Sequence, residues 1–133
     1  MRRPPRFLAP VFALLAAAAA APADPKAPTY DDDVLPVLRQ SCTNCHGPDK
    51  QKGGLNVATF AALQAGGSSG AVVVPGDPNK SRLFTLTAHQ DEPKMPPNGN
   101  RIAEAQLATL KLWIEQGGRE NSGSKAIAPK KVD

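Results

Sequence analysis

The chain has 133 residues, with 16 lysines and arginines against 12 aspartates and glutamates, a formal net charge of +4. This length accommodates a single domain of ordinary size. Three of the arginines fall within the first six residues, so the rest of the chain is close to neutral and its charge gives no support for binding nucleic acid.

Residues 1–23 read as a secretory signal. Arg2, Arg3 and Arg6 form a positive start, an alanine-rich apolar run follows, and Ala21-Pro22-Ala23 offers small residues for cleavage before Asp24. The apolar run falls short of the roughly 20 residues a membrane span requires. An exported or periplasmic protein with no membrane span in its mature chain is therefore expected. The remaining 110 residues carry ten prolines and eleven glycines, so loops should occupy much of the domain. Residues 24–29 form a proline-rich lead-in, expected to be flexible.

A first helix is predicted to start at Thr29 to Asp31. Thr29 with Asp32 resembles a capping box, and three consecutive aspartates suit the positive end of a helix. Tyr30, Val34, Leu35 and Leu38 supply its apolar face. Pro36 lies inside the pattern and should kink or delay the helix. The helix is expected to run into Cys42 and end near His46-Gly47-Pro48.

Cys42-Thr43-Asn44-Cys45-His46 carries the most chemistry in the chain. Two cysteines three apart, followed at once by histidine, form the attachment signature of a c-type haem. Each thiol can add to one porphyrin vinyl group, and the histidine then lies beneath the iron as its proximal ligand. Besides a chance occurrence, three other readings compete. Zinc would need a fourth ligand beyond Cys42, Cys45 and His46, which His89 could supply. A thioredoxin-like pair would sit at a helix N-terminus, whereas the apolar residues here precede the cysteines. A structural disulfide would close too short a loop to stabilise much.

Beyond the motif, residues 49–54 read as a polar loop and 55–57 as a short extended piece. Thr59 caps a short helix through Gln64, with Phe60 and Leu63 facing inward. Residues 66–70 read as a flexible surface loop and 71–74 as a buried extended segment. Asp77 and Pro78 predict the start of a helix that continues through Leu83, Phe84 and Leu86 towards His89. Residues 91–100 form a proline-rich loop around Met95. In the last helix Ile102, Leu107, Leu110, Trp113 and Ile114 share a face, and Gly117-Gly118 ends it. Ile102 against Leu107 would make a hydrophobic staple with Ala103 at the cap. Residues 120–133 are polar and expected to be disordered.

A six-coordinate haem needs a second axial ligand. Met95, the one methionine left after signal removal, and His89 are the candidates. Met95 is favoured because Pro93, Pro96 and Pro97 restrict its loop, which helps to hold a weakly binding thioether. With His46 and Met95 both on the iron, no position is free for substrate, which argues for electron transfer. His89 has an ordinary alternative role as a polar residue at a helix end. Lys50, Lys52, Lys80, Arg82, Lys94 and Arg101 flank these segments and could steer an acidic partner, though an ordinary solvated surface explains them as well.

These motifs together resemble the planctomycete-type cytochrome c domains, within the class I cytochrome c fold. The resemblance spans about Tyr30 to Gly118. It rests on Cys42-Thr43-Asn44-Cys45-His46-Gly47-Pro48, Lys52-Gly53-Gly54-Leu55, Val74-Pro75-Gly76-Asp77-Pro78 with Ser81, Met95-Pro96-Pro97, and Leu110 with Trp113-Ile114 before Gly117-Gly118. It implies thioether bonds from Cys42 and Cys45, axial ligation by His46 and Met95, and packing of the first helix on the last beside the haem. One departure stands out: Ala103 occupies the place of the usual serine or threonine cap.

The expectation is thus an all-α, loop-rich domain over residues 30–119, with about four helices around one covalently attached haem c. It would be a free-standing electron carrier without substrate turnover of its own, exchanging electrons with redox proteins the sequence does not identify. The alternative is a haem-bearing subunit or interaction module of a larger periplasmic oxidoreductase.

Overall fold

The computed structural model describes residues 27–125. The signal expected over 1–23 and the part of the tail beyond Lys125 lie outside the described residues. Four α-helices make up the scaffold: α1 (Leu35–Ser41), α2 (Phe60–Ala65), α3 (Arg82–Thr87) and α4 (Glu104–Glu115). Among the described residues there is no β-strand beyond two isolated bridges, His46 with Gln51 and Gly67 with Gly70.

The chain enters its first helix through a wide π turn, Tyr30–Val34. Thr29 Oγ1 accepts the Asp32 N–H at 3.2 Å, as a cap should. The reciprocal bond comes from Asp33, whose carboxylate accepts the Thr29 N–H at 2.8 Å. The wide turn accounts for this placement, one residue later than a regular capping box would have it. Pro36 then falls in the first turn of α1, where its missing N–H costs little. The expected disturbance at Pro36 is therefore a delayed α-helix.

α1 ends at Ser41 and not near His46. The Cys42–His46 motif continues from it as a turn, with the Cys42 carbonyl accepting the N–H groups of Cys45 (3.1 Å) and His46 (2.9 Å). The helix start expected at Asp77 is likewise split. Pro78–Lys80 form a 3₁₀ turn capped by the Asp77 side chain, and α3 begins after an extended Ser81. Ser81 is fully buried because its hydroxyl serves the preceding loop. Its Oγ accepts the Val74 N–H at 2.8 Å and bonds the Asp77 carbonyl at 2.8 Å. A continuous helix would remove it from that position.

α4 packs against the N-terminal π turn and against α3. The seam between the ends of the chain contains Val34, Leu38, Leu110, Trp113 and Ile114, all fully buried. Burial of one side chain of this kind contributes about 1.5–3 kcal/mol, so this seam is a substantial part of the domain's own core. Tyr30 lies between two other rings, 5.6 Å from Phe60 in an edge-on arrangement and 6.4 Å from Trp113. The segment after α4 then pairs with the segment before α1. Tyr30 N–H donates to the Arg119 carbonyl at 2.8 Å and Asp31 N–H to that of Glu120 at 2.9 Å. Trp113 Nε1 shares the Arg119 carbonyl, also at 2.8 Å.

Candidate functional site

A cavity of about 330 Å³ lies between the end of α1, α3 and the loops that follow α1, α2 and α3. This falls within the roughly 300–1,000 Å³ usual for small-molecule and cofactor sites. Cys42, Cys45, His46 and Met95 all line it. Side chains up to 53 positions apart in sequence thus meet at one space. Leu55, Val57, Val72, Leu83 and Leu86 complete an apolar lining.

Each donor has a local reason for its place. α1 delivers Cys42 at its C-terminal end, with Cys42 N–H donating to the Leu38 carbonyl at 2.8 Å. The chain then doubles back, and Lys52 N–H donates to the Cys45 carbonyl at 2.9 Å. The His46 carbonyl accepts the Val57 N–H at 2.8 Å, and the Val57 carbonyl accepts the buried Tyr30 hydroxyl at 2.7 Å. The aromatic core thereby reaches the histidine through two hydrogen bonds. Sequence patterns gave no sign of this link, because Tyr30 serves equally well as a face residue of the first helix.

The state of these groups separates the competing chemistries. His46 Nδ1 is buried without a hydrogen-bond partner. The ring is thus not occupied by a structural role through that atom, as a buried imidazole usually is. Burial, followed by the neighbouring Cys45, pushes the Cys42 thiol up to about 11. A thiol–disulfide catalyst needs the opposite, a thiolate favoured near neutral pH. Both cysteines are free thiols, so no disulfide closes the motif. Among the described residues no three His, Cys, Asp or Glu side chains converge as a metal-ion site. His89, which zinc would require, bonds the Met95 carbonyl oxygen through Nε2 at 3.0 Å instead and does not line the cavity. An apolar space with two thiols, an imidazole and a thioether on its walls fits a haem c in donor chemistry.

Part of the cavity wall is built of glycine backbone. Gly53, Gly67 and Gly70 line it, and Ser68 N–H donates to the Gly53 carbonyl at 2.8 Å. A Cβ on Gly67 would stand 2.6 Å from the Gly53 carbonyl oxygen, so glycine alone permits this approach. The two glycine clusters read from sequence as separate loops are therefore one wall. The clue available in the sequence was the pair of double glycines, Gly53-Gly54 and Gly66-Gly67.

The six cations that flank the site do not act as one group. Lys80 pairs with Asp77 at 3.6 Å, Lys94 with Glu92 at 3.8 Å, and Arg101 with Glu104. These are exposed pairs within a few residues, of the kind that contributes little. Lys50 is exposed. Lys52 and Arg82 do line the cavity, and no carboxylate does.

The fold and site define a helical domain with a cofactor cavity suited to covalent haem. Residues 42–99 match the family model of Planctomycete cytochrome C. This segment is similar to the family that the sequence resembles, and the match covers Cys42, Cys45, His46 and Met95. A cytochrome c domain implies haem c, a role in electron transfer, and redox partners. No curated protein and no solved structure matches the chain. Among the described residues no helix is long and apolar enough to cross a membrane.

Proposed function

We propose that this chain is an exported monohaem c-type cytochrome that carries single electrons through a covalently bound haem ligated by His46 and Met95. The observation that carries the reading is the shared cavity. One imidazole and one thioether line it together with both cysteines of the attachment motif. Cys42 and Cys45 would attach the porphyrin, His46 and Met95 would hold its iron, and Leu55, Val57, Val72, Leu83 and Leu86 would exclude water from it. Lys52 and Arg82 offer positive charge for the porphyrin's carboxylates, with no competing acid on the lining. When bound, the haem supplies an iron that gains and loses one electron. With both holding the iron, His46 and Met95 would leave it no free position for a substrate, which supports a carrier over a catalyst.

The test starts with expression in a host that attaches haem to exported proteins. Haem should remain on the chain in a denaturing gel, and the mature protein should begin at Asp24. A chain that carries no covalent haem under these conditions would end the proposal. Met95→Ala should open the oxidised haem to added imidazole. An unchanged spectrum in Met95→Ala, with a changed one in His89→Ala, would transfer the ligand role to His89.

A further inference from the structure

We propose that His89 is a positioning residue for the Met95 thioether, acting through the backbone of the ligand loop. The inference rests on Met95 being the axial ligand. His89 Nε2 lies 3.0 Å from the Met95 carbonyl oxygen. A carbonyl can only accept, so this nitrogen carries the ring proton and donates. The Met95 N–H donates in turn to the Leu86 carbonyl at 3.0 Å. Both peptide groups of Met95 are thereby fixed to the end of α3, one by backbone and one by the His89 ring. α3 itself contributes Leu83, Leu86 and Thr87 to the cavity. The thioether and one wall of its pocket thus share a single support.

The backbone at His89 points the same way. Its φ is 59°, the left-handed region, and no other described non-glycine residue has a positive φ. It follows the α3 cap, and Gln90 N–H donates back to the Thr85 carbonyl at 2.9 Å, as at a helix end normally closed by glycine. Glycine would adopt this conformation without strain. A side chain here has to be worth its strain, and the ring's one hydrogen bond to protein goes to the ligand residue. A thioether binds iron weakly, so what holds its loop decides how often it detaches.

The test uses full-length holoprotein and compares His89→Ala, His89→Gly, His89→Gln and His89→Asn. The readouts are the affinity of the oxidised protein for added imidazole and the reduction potential. Loss of the bond should raise imidazole affinity about fivefold in the alanine variant, the equivalent of one net hydrogen bond, and lower the potential. Glycine relieves the backbone but lacks the donor, so it should behave as alanine does. Glutamine places an amide N–H near the position of Nε2 and should restore both readouts, whereas the shorter asparagine should not. Wild-type imidazole affinity and potential in both the alanine and glycine variants would overturn the proposal. If neither variant yields holoprotein, equal behaviour of glutamine and asparagine would overturn it. Wild-type chain without covalent haem would instead overturn the haem reading, with this inference falling as its consequence.

Discussion

At the scale of single residues, Tyr30 joins the aromatic core to the Cys42–His46 motif. Its hydroxyl is buried on the Val57 carbonyl, whose own N–H holds the His46 carbonyl. Burial, reinforced by Asp31 and only partly offset by Arg39, raises its ionisation from 10.0 to about 12. The folded state therefore favours the protonated phenol. This contribution to stability is complete below pH 10 and is lost as pH rises through 12. Tyr30 is the sole tyrosine of the sequence, so the ultraviolet absorbance of tyrosinate reports it directly. Titration of the folded protein near the ordinary value would contradict the burial argument. Tyr30→Phe leaves the Val57 carbonyl unsatisfied and should cost about 1–3 kcal/mol in denaturant unfolding. It should also abolish the decline in stability contributed by this group between pH 10 and 12.

At the scale of elements, α4 starts with half a cap. Gln106 Oε1 accepts the Ala103 N–H at 3.2 Å, but Ala103 has no side-chain oxygen to accept in return. Its backbone already has cap geometry, with φ −58° and ψ 147°. Ala103→Ser should complete the capping box and raise stability by about 0.5–1 kcal/mol, measured by chemical denaturation. No gain would mean that packing of Ile102 and Leu107 already determines this helix start. The cap deficit was readable from the sequence, as were the four helices and the buried face of α4, because each depends on neighbours within one or two turns. The split at Ser81 was not, since it depends on a hydroxyl shared with Val74 and Asp77. The same distinction holds in the site. The attachment motif is local and legible, whereas the Tyr30–Val57–His46 chain and the Gly67 wall depend on contacts between distant segments. The bond from His89 to Met95 spans six residues but needs a left-handed turn that histidine rarely signals.

At the scale of the whole molecule, a cavity of about 330 Å³ lies beside the protein's own core. That core is a seam along α4 with a few residues from α2, α3 and the loops. The net stability of small domains is only about 5–15 kcal/mol, so a ligand held only by the folded state changes it appreciably. The double variant Cys42→Ala, Cys45→Ala, purified without haem, should melt more than about 10 °C below the holoprotein, equivalent to roughly 2 kcal/mol or more in a domain of this size. Equal melting in calorimetry would show that the helices hold the fold without the cofactor. The pairing of Tyr30 and Asp31 with Arg119 and Glu120 has a topological consequence. The backbone enters and leaves the domain at neighbouring points, and neither point contributes to the cavity lining. A unit built this way could be spliced into a loop of another protein, or fused at either end, without pulling its two ends apart.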